Sequence, residues 1–117
     1  MTAEERIHQS EVFIALANEL FDAGSNMAGA EMLYGALTQV IIAIAVRRQE
    51  NYREHQHRRH VMRRLATELD DPDITDAFGT SQRLHVHFYL NDLTDDCFQA
   101  AAATTRGLIN RLLPLSA

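Results

Sequence analysis

The first part of the chain shows apolar residues at the spacing of one helix face. That stripe consists of Ile7, Phe13, Ile14, Ala17, Leu20 and Phe21. At its start, Thr2 and Glu5 form the Thr-x-x-Glu signature of a capping box, in which each residue binds a free backbone amide of the other. Gly24 follows the stripe, and glycine commonly ends a helix. The pattern predicts a first helix from Thr2 to about Gly24.

A second helix is predicted after Ser25, which can serve as its N-cap. Its apolar stripe consists of Leu33, Leu37, Val40, Ile41 and Ile44. The run Val40–Val46 could by itself be a buried strand, but it lies in a long pattern without a turn signal, so we predict the buried centre of a long helix. Because the run is apolar on every side, either flanking helices or a second subunit must cover it, and we therefore predict a homodimer.

Three more helices are predicted in the second half of the chain. Their apolar positions are Val61, Leu65 and Leu69 in the third, Ile74, Ala77, Phe78, Leu84 and Phe88 in the fourth, and Phe98, Ala101, Leu108, Ile109 and Leu112 in the fifth. Pro72 can open the fourth helix, Thr94 can cap the fifth, and Pro114 ends it. The fold class predicted is all-α, an antiparallel bundle of four to five helices, with a single domain over residues 1–117.

Composition excludes several classes of protein. Apolar residues make up 46% and charged residues 23% of the chain, which is typical of globular domains and excludes disordered, collagen-like and disulfide-rich chains. Cys97 is the single cysteine, so no internal disulfide can form. A helix start could make its thiol reactive, but its spacing to Phe98 and Ala101 predicts a core position. The longest apolar run is too short to span a bilayer, and the N-terminus has no signal-peptide pattern. We expect a cytoplasmic protein that does not contact membranes.

Positive charge is concentrated in residues 47–64, which hold seven of the 11 arginines and only two glutamates, although the whole chain carries a net charge of -5. Arginine binds two phosphate oxygens through its planar fork, so this stretch predicts a nucleic-acid-binding surface in which Tyr52 could stack on a base. The arginines concerned are Arg47, Arg48, Arg53, Arg58, Arg59, Arg63 and Arg64. The alternative is a solvated surface whose arginines pair with the protein's own acids.

Four of the six histidines form two His-x-His pairs, at residues 55–57 and 85–87. Alternate positions on a helix point in nearly opposite directions, so neither pair can chelate a metal there. Glu54 and His57 form a Glu-x-x-His pair of the kind that di-iron bundles use twice. A metal-binding bundle is therefore a third alternative, but we expect no metal and no cofactor, and mainly hydrogen-bonding roles for these histidines.

Two segments together resemble the HEPN superfamily of small helical bundles. Residues 15–24, followed by 28–46, are similar to the opening hairpin of that fold, with a glycine-containing turn and an alanine-rich second helix. The segment Leu84-His-Val-His-Phe-Tyr89 and the acidic turn and amphipathic helix after it are similar to a stretch of some archaeal and bacterial HEPN-like proteins. The resemblance implies a HEPN-like bundle and a homodimer.

Catalytic members of that superfamily are metal-independent ribonucleases whose motif is an Arg followed, after four to six residues, by a His. The resemblance implies that His87 moves protons and that Arg83 neutralises charge on the phosphorus. Gln82 occupies the position expected for the motif Arg, and Arg83 leaves only three residues between the pair. In the alternative structural interpretation, His87 packs against the first hairpin with its ring nitrogens hydrogen-bonded.

We therefore predict a HEPN-like protein that binds RNA or a nucleotide phosphate, with ribonuclease activity through Arg83 and His87 as an open possibility. A non-catalytic helical homodimer that binds a protein partner is the alternative from another class.

Overall fold

The computed structural model describes all residues from Met1 to Ala117 and contains five α-helices and no β-strand. The helices are α1 (Ala3–Asp22), α2 (Asn26–Arg48), α3 (His55–Glu68), α4 (Asp73–Leu90) and α5 (Asp95–Leu112), followed by a short 3-10 turn (Leu113–Ser116). The helices pack into one bundle. In it α3 runs in the same direction as α2, because His55 at the start of α3 lies in a pocket with Tyr34, while Glu68 at its end pairs with Arg48. The prediction of an all-α bundle is confirmed.

Local capping explains where most of these helices begin and end. The Thr2 hydroxyl accepts the Glu5 N–H at 3.1 Å while the Glu5 carboxylate accepts the Thr2 N–H, which confirms the predicted capping box. The Thr94 hydroxyl accepts a backbone N–H of α5, also as predicted. Gly24 adopts a φ of 79°, a left-handed conformation that glycine enters without strain. The prediction for Ser25 is wrong in one respect, because its side chain makes no capping bond.

Helix α2 forms the centre of the bundle and contacts each of the other four helices. Its residues from Val40 to Ala45 are all buried, so the flanking helices cover the apolar run from which we predicted a homodimer. That run therefore gives no further reason to expect a second subunit. By length and apolar composition α2 would pass as a membrane span, yet most of it is buried inside the bundle, as in the core helix of a globular protein.

Small residues bring α1 and α2 close together. Ser10, on the buried face of α1, donates its hydroxyl to the Ala36 carbonyl at 2.9 Å. Nearer the turn, a Cβ atom on Gly29 would lie only 2.4 Å from the Phe21 ring, so only glycine fits there. The Phe21 ring in turn meets Phe98 of α5 edge-to-face at 5.6 Å. The hairpin is thereby anchored to the last helix.

Cys97 lies in the first turn of α5 and is exposed, so the prediction that it belongs to the core is wrong. Its neighbour Phe98 is buried instead, because consecutive residues of a helix point in different directions. The apolar spacing of α5 is satisfied without the cysteine.

Helix α3 covers only part of the surface beside it. It begins at His55, next to Gln82 in the middle of α4, and runs back along the first half of that helix. The second half of α4 therefore extends beyond α3. A strip of α2 between α1 and α4 is left partly exposed there, and its members include Glu31, Gly35 and Thr38.

Candidate functional site

That partly exposed strip is the floor of a groove of about 520 Å³, which we call the α2 groove. Helix α4 forms one wall, and the N-terminal end of α3 closes one end. The lining residues are Glu31, Tyr34, Gly35, Thr38 and Gln39 of α2, His55 and Arg58 of α3, and Gln82, His85 and Val86 of α4. The volume is in the range of small-molecule sites, and polar side chains predominate.

His85 is held in the groove by a carboxylate. Its Nδ1 lies 2.8 and 2.9 Å from the two carboxylate oxygens of Glu31. The imidazole also stacks on the Tyr34 ring, with 5.3 Å between centroids. Because the carboxylate accepts the Nδ1 proton, the neutral ring presents Nε2 as an acceptor. A positioned histidine of this kind can bind a ligand donor or transfer a proton.

His55 faces the groove from α3 and contacts the side-chain amide of Gln82. Its ring stacks over Phe78, with 5.8 Å between centroids. Burial lowers the pKa of His55, and the nearby positive charges of Arg59 and Arg58, with His85, lower it further. His55 is therefore neutral at pH 7. Burial raises the pKa of the Tyr34 hydroxyl, which stays protonated.

Two guanidinium groups meet at Tyr52, behind the closed end of the groove. Arg58 donates from Nη1 to the carbonyls of Tyr52 at 3.0 Å and Arg53 at 3.2 Å. Arg6, from α1, lies 5.8 Å above the Tyr52 ring and donates to the Gln39 side chain at 3.2 Å. Neither Arg6 nor Arg58 has a carboxylate partner, and Nε of Arg6 is buried without a hydrogen bond. This end of the groove is therefore positively charged.

The predicted nucleic-acid-binding arginines divide into two groups. Arg47, Arg48 and Arg64 form ion pairs with Glu4, Glu68 and Glu50, respectively. These three arginines therefore pair with the protein's own acids, as the alternative interpretation of residues 47–64 predicts.

The second group makes no ion pair within the chain and consists of Arg53, Arg58, Arg59 and Arg63. Arg59 and Arg63 line a smaller pocket that shares Gln82 with the α2 groove. Arg58, Arg59 and Arg63 therefore offer positive charge to a ligand in and beside the groove, whereas Arg53 lies in the loop before α3. Tyr52 was predicted to stack on a base, but it is half-buried and Arg6 covers one face of its ring. In the structure Tyr52 instead contacts Arg6 through its ring and accepts a hydrogen bond from Arg58 through its carbonyl.

The other predicted pair, Arg83 and His87, lies outside the α2 groove. His87 is buried, its Nδ1 accepts the backbone N–H of Leu93 at 3.1 Å, and its ring packs against Phe98 at 5.4 Å. Arg83 is exposed and makes no hydrogen bond to His87. This geometry agrees with the structural interpretation of His87, in which the ring packs in the interior and its hydrogen bond to Leu93 holds the turn after α4.

Replacing His87 with Ala is expected to lower the free energy of unfolding by about 1–3 kcal/mol, because it leaves a cavity and removes the hydrogen-bond partner of the partly buried Leu93 N–H. Urea denaturation of His87→Ala measures the loss. His8→Ala is the control, since His8 is exposed on α1 and should change stability little. Equal stability of the two variants would contradict this role of His87.

The lowered pKa of His55 makes stability depend on pH. The unfolded chain binds a proton near the ordinary pKa of 6.5, whereas the folded chain resists it. We expect the free energy of unfolding to be highest above about pH 7 and to decrease as the pH falls through 6.5 to the lower folded pKa. His55→Gln should decrease less, as urea denaturation at several pH values would show. An unchanged slope would contradict the assignment.

The structure shows no complete set of ligands for the metal-binding bundle that was the third alternative. The chain contains two Glu-x-x-His pairs, Glu5/His8 and Glu54/His57, on different helices. No group of three or more His, Cys, Asp or Glu side chains is placed to hold a metal ion. In α3, the Nδ1 atom of His57 instead accepts the backbone N–H of Glu54 at 3.3 Å.

Sequence reasoning missed several residues in and behind the groove because their neighbours come from distant segments. Arg6 and Gln39 are 33 positions apart, and Glu31 and His85 are 54 positions apart. The His85-x-His87 spacing did give one signal. It predicts that the two rings diverge, and the structure places His85 in the groove and His87 in the interior.

Taken together, these features define a five-helix bundle with a polar groove over its central helix. The sequence profile of the archaeal PaREP1/PaREP8 family matches residues 5–109, and the chain belongs to that family. A search of curated proteins gives no match.

The fold is also similar to the crystal structure of a protein from Sulfolobus solfataricus, with a TM-score of 0.77 and 16% sequence identity. That match covers 92% of this chain and 95% of the other. At this identity the similarity shows a shared fold.

Proposed function

We propose that this protein binds a phosphate group of RNA or of a nucleotide in the α2 groove. The observation that carries the proposal is the pair of guanidinium groups at Tyr52, Arg6 and Arg58, which have no carboxylate partners. A guanidinium that is already positioned by neutral groups keeps its charge available for an anion. A HEPN-like relationship and a cytoplasmic location are part of the same proposal.

The groove also offers groups for the rest of such a ligand. The Gln39 amide, the Thr38 hydroxyl and Nε2 of His85 line the groove and can hydrogen-bond a sugar or base. Arg59 and Arg63 extend the positive surface beyond the groove along α3. This arrangement suits an extended polyanion with one phosphate at Arg58.

Fluorescence anisotropy with a labelled single-stranded RNA at low salt tests the proposal. Arg58→Gln should weaken binding by about tenfold or more, the usual cost of losing a charged hydrogen bond. Arg64→Gln is the matched control, because Arg64 lies on the same helix but is paired with Glu50 at 3.4 Å. No binding by the wild type, or equal loss in both variants, would overturn the proposal.

A second candidate function is metal-independent RNA cleavage, and the Glu31–His85 pair favours it. A carboxylate that orients a histidine is the arrangement used for general acid–base catalysis. In this proposal, Nε2 of His85 takes the proton of the 2′-hydroxyl as its oxygen attacks the phosphorus, and Arg58 stabilises the charge on the phosphate. The bond from phosphorus to the 5′-oxygen breaks, that oxygen takes a proton from solvent, and His85 returns its own proton to solvent. The role of Arg83 and His87 in cleavage stays a prediction from the family resemblance.

Cleavage of a labelled RNA by His85→Ala and by His87→Ala separates the two assignments. If His85 is the base, His85→Ala loses activity and keeps its melting temperature, whereas His87→Ala melts lower. Loss of activity in a stable His87→Ala would favour the Arg83 and His87 assignment. An inactive wild type would remove the cleavage proposal and leave the binding proposal intact.

A further inference from the structure

His55 and Gln82 face each other at the border between the α2 groove and the smaller pocket lined by Arg59 and Arg63. Gln82 lines both of these spaces. The nitrogen of the Gln82 amide contacts Nε2 of His55, and Nη2 of Arg59 approaches the same atom at 3.4 Å. Amide and guanidinium nitrogens can only donate, so Nε2 accepts and carries no proton. The neutral state of His55 therefore holds both groups towards its ring.

Protonation of His55 reverses this arrangement. The charged ring donates from both nitrogens, and two donors cannot share a hydrogen bond. The Gln82 amide then has to rotate so that its oxygen accepts from Nε2, which turns its NH2 group away from the ring. Arg59 loses its acceptor at the same time. Because both residues line the smaller pocket and Gln82 also lines the groove, both become donors for an anion beside the positive ring.

Positive groups face His55 from two helices. Arg58 and Arg59 lie close to it on α3, and His85 approaches it from α4. Burial lowers the pKa of His55, and these charges lower it further, so the free protein resists the proton. An anion in the groove offsets the same positive charges and so reduces the cost of protonation.

No carboxylate of the chain already supplies that negative charge to His55. Two titratable groups of α2 line the groove, but Glu31 is bound to His85 and Tyr34 stays neutral. Glu54, just before His55, directs its carboxylate to a glutamine side chain of α3. A phosphate ligand therefore brings the charge that a proton on His55 requires.

We propose that His55 and Gln82 form a proton-dependent switch, in which a proton on His55 and a phosphate in the α2 groove each favour the binding of the other. The inference rests on the proposed function, since it concerns the same phosphate. Linkage makes the effect reciprocal, because RNA raises the affinity of His55 for a proton as much as the proton raises the affinity for RNA. The protein then binds RNA more tightly in more acidic solution.

Fluorescence anisotropy with a labelled oligouridine at constant salt, from about pH 8 to about pH 5.5, tests the switch over the range in which histidine titrates. The phosphates and bases of oligouridine do not titrate there, so a change in affinity reports protonation of the protein. We expect the wild-type affinity to increase by about tenfold as the pH falls, within the usual range for coupled sites. His55→Gln cannot take up the proton and should lose most of this increase.

His60→Gln is the matched control and should keep the wild-type increase. His60 lies on the same helix as His55, is exposed, and lines neither the α2 groove nor the pocket that shares Gln82. An equal increase in the wild type and in His55→Gln would overturn the switch, and so would a wild-type affinity that does not change with pH. Either result leaves the phosphate-binding proposal standing. Failure of the wild type to bind oligouridine at every pH would overturn both.

Proton NMR of the wild-type protein follows His55 directly and does not depend on the affinity of a variant. The imidazole signal of His55 is recorded against pH in the free protein and at saturating oligouridine. We expect the midpoint of the titration to lie at higher pH when oligouridine is bound, because linkage is reciprocal. An unchanged or lower midpoint would contradict the switch.

Discussion

Replacing Ile41 with Ala is expected to lower the free energy of unfolding by about 2–5 kcal/mol, the range for truncating a large buried aliphatic side chain. Ile41 is fully buried in α2, which contacts every other helix, so the cavity cannot be filled by movement of one surface element. Urea or thermal denaturation measures the loss.

Val12→Ala is the matched control for Ile41→Ala. Val12 lies on α1 and is 37% exposed, so its truncation should cost much less. A loss below about 1 kcal/mol for Ile41→Ala, within the range of ordinary surface substitutions, would mean that α2 is not the tightly packed centre of the bundle. It would also reopen the question of what covers the Val40–Val46 run.

The combined variant Arg58→Gln, Arg59→Gln and Arg63→Gln is expected to weaken RNA binding and to flatten its salt dependence. These arginines border the α2 groove and its neighbouring pocket and have no ion pair. Each phosphate contact to a single strand contributes about 0.7 to the slope of log K against log salt, so losing three should reduce the slope by about 2. Anisotropy titrations between about 50 and 200 mM salt, where such contacts strongly affect affinity, measure it.

The ion-paired arginines provide a control with the same change in net charge. Arg47, Arg48 and Arg64 are bound by Glu4, Glu68 and Glu50, so replacing all three with Gln should change the salt slope much less. Equal slopes for the two triple variants would show that only overall charge matters, and that the α2 groove has no special role.

The sequence predicted the helices well because their signals are local. The capping box at Thr2 and Glu5, the left-handed Gly24 and the cap at Thr94 each depend on residues a few positions apart. Where a local signal was ambiguous, prediction failed. Cys97 neighbours buried Phe98 but points to solvent, and Ser25 begins α2 without a side-chain cap.

The α2 groove was not predictable in the same way. Its basic character was visible in residues 47–64, but which arginines stay free depends on Glu4, Glu50 and Glu68, two of which come from other parts of the chain. Arg6 reaches Tyr52 only because α1 packs along α2. The His85 partner Glu31 likewise depends on how α4 crosses α2.

If the α2 groove receives the phosphate-bearing ligand, the histidines that line it report the binding directly. In proton NMR, the imidazole signals are followed while a short single-stranded RNA is added to the wild-type protein, with assignments from single His→Gln variants. We predict that the signals of His55 and His85, which line the groove, shift together, while those of exposed His8 and buried His87 do not. Shifts confined to His8 or His87, or none at saturating RNA, would contradict it.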